Sequence, residues 1–168
     1  MKQGVAVKFG KLLMRLGGFR ICIVDDEESY FNTRMLDAAE AVGFTGIERH
    51  FFIDLELFQD LHDDPRDVVI LDVQGVVDSE IAKDGVYVAS SLLRNTSSFV
   101  VITSAHQFHL QNKLLEVDYV IENRLLTTVD FIETLHHIVD LCMTQKIAAY
   151  KKLLFRTGYF LIKKTAVQ

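Results

Sequence analysis

The sequence predicts a doubly wound α/β fold on a five-stranded parallel sheet, with basic helical extensions at both ends. Strand-like and helical patterns alternate along the middle of the chain, which is typical of parallel strands joined by right-handed crossovers. Several strands are short apolar runs that end in polar residues, as expected where helices cover both faces of a sheet. The clearest of these runs span residues 21–26, 68–73, 99–105 and 118–121.

The first half of the chain supplies two strands and two helices. The predicted elements are a strand over 21–24, a helix over 28–42, a short strand over 46–52 and a helix over 55–62. The first helix has an apolar stripe at helical spacing and is expected to stop before Gly43. Pro65 follows the second helix and prevents it from continuing.

The second half supplies the remaining strands and a long final helix. The predicted elements are a strand over 68–71, an acidic loop over 74–84, a helix over 86–94, a strand over 99–102, a short helix over 108–115 and a strand over 119–121. Thr127 is predicted to cap the last helix, with Asp130 three residues later. The apolar pattern of this helix runs on to Gly158, for about 45 Å at 1.5 Å per residue, so its second half is expected to project from the body. Residues 159–162 are predicted as a short strand.

These patterns divide the chain into three parts. Residues 1–19 form a basic amphipathic extension, residues 20–142 a central domain, and residues 143–168 the end of the last helix with a short tail. Residues 1–20 carry five basic side chains and no acid, and residues 141–168 carry six and no acid. The part between them has a net charge of −16, so an acidic body is flanked by two basic arms.

The composition is that of a globular protein with a sizeable core. Of 168 residues 49% are hydrophobic, and only one is proline. No apolar run approaches the length of a membrane span and no signal peptide is visible, so a cytoplasmic location is expected. Cys22 and Cys142 lie inside apolar runs and are predicted to be reduced core residues.

Four polar residues follow or end the predicted strands, and they define a candidate site. Asp25 and Asp26 follow the first strand, Asp72 the third and Thr103 the fourth. The carboxyl ends of parallel strands meet at one edge of the sheet, so these side chains should converge there. Three carboxylates gathered at one point repel one another unless a cation lies among them.

This ordered set resembles the receiver domain of response regulators, the CheY-like phosphoacceptor of two-component signalling. The resemblance covers about residues 20–142 and implies a flavodoxin-like sheet. It implies that Asp72 is the phosphoacceptor and that Asp25, Asp26 and Asp72 hold Mg²⁺ together with the backbone carbonyl of Gln74.

The resemblance also implies a switch and a partner. Thr103 would hydrogen-bond the phosphoryl oxygen, and Tyr119 occupies the place of the aromatic switch residue. The phosphoryl group would come from a sensor histidine kinase or a phosphotransfer protein. Such a chain is a phosphoacceptor, not an enzyme that turns over a substrate.

Two features depart from the receiver pattern. Glu122 stands where the family has a lysine after the fifth strand, and a like charge about 4 Å from the phosphoryl group costs on the order of 4 kcal/mol at an effective dielectric of 20. Arg124 or Lys83 is a candidate substitute for that lysine. The AspGly pair at Asp84 also comes about five residues later than usual, after an acidic insert.

Two other functions remain open from the sequence. Residues 71–76 resemble the nucleophile motif of haloacid-dehalogenase-type phosphatases, but Gln74 replaces the general acid and the acidic pair lies upstream. A pseudo-receiver would keep the fold as an interaction module without phosphorylation. Glu122 favours that interpretation, whereas Asp26 and Asp72 argue against it.

The basic ends suggest how the chain signals. Residues 143–168 are too few for a winged helix or helix-turn-helix module, so output is expected through protein contacts. We favour packing of the two amphipathic ends into a homodimer; a membrane surface comes second and nucleic acid last. The histidines are expected to have structural roles, because no Cys or acid lies at zinc-ligand spacing from His106, His109, His136 or His137.

Overall fold

The sheet has the predicted five parallel strands in doubly wound order. The computed structural model describes residues 18–103, 117–121 and 127–165, with side chains as far as residue 149. The strands are β1 (Ile21–Val24), β2 (Ile47–His50), β3 (Val68–Asp72), β4 (Phe99–Thr103) and β5 (Tyr119–Ile121). Their spatial order is β2-β1-β3-β4-β5, and every pair of neighbours is parallel. The strand predictions are therefore confirmed to within a few residues.

Four helices lie within the described residues. They are α1 (Thr33–Ala41), α2 (Leu55–Asp63), α3 (Gly85–Asn95) and α4 (Thr128–Thr165). The predicted short helix over 108–115 and the predicted amphipathic helix within 1–17 lie outside the described residues.

The helices cover both faces of the sheet, and the strands alternate between two apolar cores. Ile21 and Ile23 of β1 belong to the core under α1 and α4, whereas Cys22 and Val24 belong to the core under α2 and α3. This alternation is the period of two expected of a strand. The continuous apolar runs of β1, β3 and β4 follow from burial on both faces. Both cysteines are free and buried, as predicted.

Helix α1 begins five residues later than predicted. Asn32 has an extended backbone and its side chain accepts a hydrogen bond from the backbone N–H of Met35, so it caps the helix. The preceding residues form a turn instead, in which Tyr30 N–H donates to the carbonyl of Glu27. The apolar stripe remained a good guide to burial, since Phe31 and Met35 are both buried.

Helix α4 is longer than predicted. Thr127 Oγ1 accepts from Asp130 N–H, and Asp130 Oδ2 accepts from Thr127 N–H, so the predicted capping box forms. The predictions that the helix ends at Gly158 and that a strand follows are wrong, because α4 continues to Thr165. A single glycine within a helix costs only about 1 kcal/mol relative to alanine, which is too little to end the helix by itself. No helix within the described residues is both long and apolar enough to cross a membrane.

The first part of α4 is anchored to the edge of the sheet at which the strands begin. Lys146 Nζ lies 2.5 Å from Asp67 Oδ1, and Gln145 Nε2 donates to Asp118 Oδ1 at 3.0 Å. Asp67 and Asp118 each precede a strand, so these contacts fix the helix where β3 and β5 begin. The helix continues for 19 residues beyond Lys146, about 28 Å at 1.5 Å per residue.

The packing of Phe31, which lies just before α1, on α4 gives a stability prediction. The rings of Phe31 and Phe131 lie 5.6 Å apart between centroids, and both side chains are completely buried. We expect Phe131→Ala to lower the free energy of unfolding by about 3–5 kcal/mol in a denaturant titration, because it leaves a cavity under α4. Val129→Ala, at a position 63% exposed on the same helix, should change it by less than about 0.5 kcal/mol. Equal effects of the two substitutions would contradict this packing.

Candidate functional site

Three neighbouring strands bring the predicted polar residues to one edge of the sheet. Asp72 ends β3 and is paired in register with Thr103 at the end of β4. Val24 of β1 pairs with Leu71 of β3, so Asp25 follows at the level of Asp72. Adjacent strands are about 4.8 Å apart, which places Asp25 and Thr103 on either side of Asp72.

Asp25 is a buried carboxyl in an acidic neighbourhood. Asp25 is 2% exposed, and its Oδ1 accepts a hydrogen bond from the Glu27 N–H at 2.9 Å. The pKa of Asp25 is raised to about 6, mainly by burial and also by the negative charges of Asp72 and Asp26. The Glu27 N–H and the Arg49 guanidinium act in the opposite direction. The site therefore holds a carboxylate that ionises with difficulty unless positive charge is added.

Asp72 is half-buried and held by the loop that follows it. Its Oδ1 accepts from the Val73 N–H at 2.7 Å. Burial raises the pKa of Asp72, as do the charges of Asp26 and Glu27, while the backbone N–H groups of Val73 and Gln74 lower it. Burial and like charges thus act on Asp72 in the same direction as on Asp25.

Asp26 lies at the exposed rim, in contact with the loop after β3. Gly75 has a φ of +74°, and a Cβ there would overlap Asp26 Oδ2. Only glycine allows this backbone to bend and approach the carboxylate at the same position. Gln74 lies between Asp72 and Gly75, so the segment with the predicted carbonyl ligand is part of the loop that contacts Asp26.

The long acidic insert does not detach the loop from the site. Ile53 N–H donates to the carbonyl of Val76 at 2.7 Å, and Asp78 N–H donates to the carbonyl of Ile53 at 3.1 Å. At the other end, Gly85 N–H donates to the carbonyl of Val73 at 2.9 Å. A Cβ at Gly85 would overlap the carbonyl oxygen of Asp72. Gly85 therefore contacts the backbone of the candidate phosphoacceptor although it comes about five residues later than in the receiver pattern.

Thr103 is hydrogen-bonded to a residue that sequence reasoning missed. Its Oγ1 lies 3.3 Å from the Tyr30 hydroxyl, and both side chains are buried. The Tyr30 ring packs on Phe31 at 4.5 Å between centroids. The sequence prediction had placed Tyr30 inside a helix, and the signal that would have corrected this is Asn32, a strong helix cap two residues later.

Tyr119 lies at the start of β5, two register positions before the partner of Thr103. It pairs with Val101, whereas Thr103 pairs with Ile121. Its ring meets the edge of the His137 ring of α4 at 5.3 Å between centroids. Tyr119 is thus placed against α4, and His137 has the packing contact expected of a structural histidine.

Of the two residues predicted to replace the receiver lysine, only Lys83 lies within the described part of the chain. Lys83 is exposed and lines an open cavity of about 570 Å³ along α3, together with Tyr87 and Arg94. Asp84, beside it, caps α3 by accepting from the Tyr87 N–H at 3.1 Å. Glu122 and Arg124 lie outside the described residues.

Arg49 of β2 is a basic residue beside the site that the sequence analysis did not consider. Its guanidinium donates to the carbonyls of Glu27 and Glu28 at 3.0 and 3.4 Å and lies 4.4 Å from the centroid of the Phe51 ring. It therefore braces the turn that carries the acidic pair, and its charge lowers the pKa of Asp25. The alternation of apolar and polar residues along the β2 sequence does not distinguish Arg49 from a residue that faces solvent.

The donor set suits a hard divalent cation. Carboxylate and carbonyl oxygens are the ligands of Mg²⁺, which also keeps several of its waters. Burial and neighbouring carboxylates raise the pKa of Asp25 and Asp72, so a cation bound here would stabilise their ionised forms. The oxygens of Asp25, Asp26 and Asp72 are not all within 4.8 Å of one another, so an ion would bind through water or draw them closer.

The comparisons with known proteins identify the fold. No family profile and no curated protein matches the chain. A signal receiver domain, named as that of a Luxo repressor protein of Vibrio parahaemolyticus, superposes with a TM-score of 0.59 at 14% identity, covering 78% of this chain and 97% of its own. A response regulator from Desulfuromonas acetoxidans gives 0.56 at 15% identity, covering 73% and 98%.

A chemotaxis protein has the same fold. The chemotaxis response regulator CheY4 of Vibrio cholerae superposes with a TM-score of 0.53 at 14% identity, covering 72% of this chain and 98% of its own. At these identities the similarity establishes architecture. The chain has the CheY-like receiver fold, as the sequence predicted.

The burial of Asp25 predicts a pH-dependent stability. The pKa of Asp25 is about 4 in the unfolded chain and about 6 in the folded protein. The folded protein therefore loses stability as the pH rises from about 4 to about 6, because Asp25 ionises less readily when buried. We expect Asp25→Asn to unfold with a free energy on the order of 2 kcal/mol higher than the unsubstituted protein at about pH 7.5 without metal. The advantage should vanish near pH 4, where Asp25 is protonated.

The control removes one charge elsewhere. Asp37→Asn, on the exposed face of α1, should show no such gain at about pH 7.5. An Asp25→Asn variant that is no more stable than the unsubstituted protein at that pH would contradict the burial argument.

Proposed function

We propose that this chain is a cytoplasmic receiver of two-component signalling that accepts a phosphoryl group on Asp72 from a sensor histidine kinase or a phosphotransfer protein. The observation that carries the proposal is the placement of Asp25, Asp72 and Thr103 at the ends of three adjacent strands. The receiver fold of the solved structures named above supports it. The chain acts as a phosphoacceptor, not as an enzyme that turns over a substrate.

Each residue of the site has a part in the proposed reaction. Asp25, Asp26 and Asp72 would hold Mg²⁺ with the backbone carbonyl of Gln74, and the bound ion would supply the positive charge that offsets carboxylate and phosphate. A carboxylate oxygen of Asp72 attacks the donor's phosphorus atom, the bond to the donor's leaving group breaks, and an acyl phosphate forms. The N–H groups of Val73 and Gln74 keep the Asp72 carboxylate ionised and oriented for this attack.

The hydroxyl of Thr103 connects the reaction to the rest of the fold. It donates to a phosphoryl oxygen once Asp72 is modified, and its hydrogen bond with Tyr30 is exchanged for that contact. Repacking of Tyr119 against His137 follows and alters the surface near β5 and α4. Arg124 or Lys83 supplies the positive charge that a receiver lysine gives at the position of Glu122.

The proposal is tested by phosphorylation of the isolated chain. Incubated with acetyl phosphate and Mg²⁺, the protein should gain the mass of one phosphoryl group, and Asp72→Asn should gain none. Asp78→Asn is the matched control, because it removes a carboxylate from the same loop outside the proposed site. No gain in the unsubstituted protein, or a gain that survives Asp72→Asn, would reject the role of Asp72.

A phosphate mimic separates this function from the alternatives. Mg²⁺-dependent binding of beryllofluoride is expected for a receiver, whereas a pseudo-receiver would bind none. Sustained hydrolysis of a generic phosphate ester would instead favour the haloacid-dehalogenase-type phosphatase.

We further propose that the chain forms a homodimer through its two basic, amphipathic ends, and that this dimer transmits the signal. The length of α4 supports this, since it continues for 19 residues beyond its anchor at Lys146. Sedimentation equilibrium of the full chain should give the mass of a dimer at micromolar concentration. A monomer at high micromolar concentration would contradict the dimer, and binding to anionic vesicles by that monomer would favour the membrane alternative.

A further inference from the structure

We propose that Cys22, Glu48 and His50 form a binding site for one Zn²⁺ ion where β1 and β2 meet. The three side chains offer a thiol, a carboxylate and an imidazole, which are the ligand types of zinc proteins. One donor atom from each lies within 4.8 Å of the other two. No part of the proposed phosphoacceptor site contributes a ligand.

Strand register creates this cluster. Cys22 of β1 pairs with Glu48 of β2, and Val24 pairs with His50. Glu48 and His50 are two residues apart on one strand, so their side chains leave the same face of the sheet. Cys22 also belongs to that face, which is the one covered by α2. The spacing is set by the pairing of two strands, so a search for ligand motifs along the sequence does not find it.

The distances are close to those of a metal site. His50 Nε2 and Glu48 Oε2 lie 3.9 Å apart, too far for a hydrogen bond. In a tetrahedral zinc site with bonds of about 2.0–2.3 Å, donor atoms are separated by roughly 3.3–3.8 Å. Ligation would therefore require movements of about 1 Å or less, within the reach of side-chain rotation.

His50 provides the second observation that points to a ligand. Its Nε2 is buried and has no hydrogen-bond partner among the residues that the structure describes. A buried nitrogen without a partner is costly and calls for an explanation. A bond from Nε2 to a metal ion would satisfy it, and the same ion would reach Glu48 Oε2.

Arg66 holds Glu48 in the required orientation. Its Nε donates to Glu48 Oε1, while its Nη2 makes only a long contact of 3.5 Å with Oε2, so Oε2 is the weakly held oxygen and the one that lies 3.9 Å from His50 Nε2. Ligating carboxylates are commonly oriented by such an outer hydrogen bond. The positive charge of Arg66 opposes a nearby cation, but Arg66 also contacts Asp60 and Asp64, which offset that charge.

The thiol of Cys22 makes the site selective. Burial raises the pKa of Cys22 to about 12, so without metal the sulfur carries its proton. Binding of Zn²⁺ forms a Zn–S bond and releases that proton to solvent, which weakens the net affinity. Mg²⁺ does not favour sulfur ligands, so the two ions are expected to take different sites in this protein.

The test uses Co²⁺ as a spectroscopic substitute for Zn²⁺ on the full chain. A titration should develop a thiolate-to-cobalt charge-transfer band that saturates with one Co²⁺ at this site and that added Zn²⁺ abolishes, whereas Co²⁺ held by carboxylates at the acidic site gives no such band. Cys22→Ser should remove the band, and His50→Gln should weaken Co²⁺ binding at least tenfold. Asp72→Asn, which alters the proposed Mg²⁺ site, should leave the position and intensity of the thiolate band unchanged, which separates this result from the outcome for the phosphoacceptor.

Matched controls exist for both variants. Cys142 is also a buried thiol, but it lies near Asp67 and Lys146, so Cys142→Ser should keep the band. His62 contacts the Phe58 carbonyl and Ser91 Oγ, so His62→Gln should also keep it. Circular dichroism checks that every variant is folded. Absence of a thiolate band, a band that survives Cys22→Ser, or unchanged affinity in folded His50→Gln would overturn the proposal.

Discussion

The parallel register of β1, β3 and β4 is the constraint on which the acidic site depends. Asp72 pairs with Thr103, and the ladder between β1 and β3 brings Asp25 beside them. A slip of one residue in either ladder would exchange the two faces of the slipped strand, disturb the packing of both cores and carry its polar residue out of line with the others. The hydrophobic burial that fixes the sheet therefore also fixes the distance between like charges, which cannot relax by moving apart.

The chain partly compensates for that repulsion with groups of its own. Backbone N–H groups donate to Asp25 and Asp72, and Arg49 adds a full positive charge beside the turn that carries the acidic pair. Burial still dominates, since the pKa of both carboxyls stays above its usual value. A site with an excess of negative charge, held by a rigid ladder, is poised to gain stability from a cation.

The loop after β3 shows how a long insert can leave a site intact. Two glycines allow its backbone to approach acidic residues, Gly75 at the Asp26 carboxylate and Gly85 at the Asp72 carbonyl. Val77, which lies between the two glycines, forms a short parallel bridge with Ile53. The extra residues are thus accommodated between two anchored ends, where the cost of lengthening a loop grows only slowly with its length.

The sequence was informative where burial alone decides structure. The strands β1, β3 and β4 were predictable because both of their faces are covered, so apolar runs mark them directly. The start of α1 was not, since the cap at Asn32 prevailed over an apolar stripe that begins at Phe31. The end of α4 was misjudged because a glycine is only a weak helix breaker.

The residues that sequence reasoning missed share one physical property. Tyr30, Arg49 and His50 matter through contacts with side chains or backbone of another element, and such contacts leave no periodic signal. His50 is the clearest case, because its carbonyl accepts from the Asp25 N–H while its ring faces Glu48. The same residue of β2 thus supports the acidic turn through its backbone and offers a ligand through its side chain. Any ion that fixes His50 also restrains the backbone that positions Asp25, so the two donor sets, one hard and one soft, are linked through a single hydrogen bond.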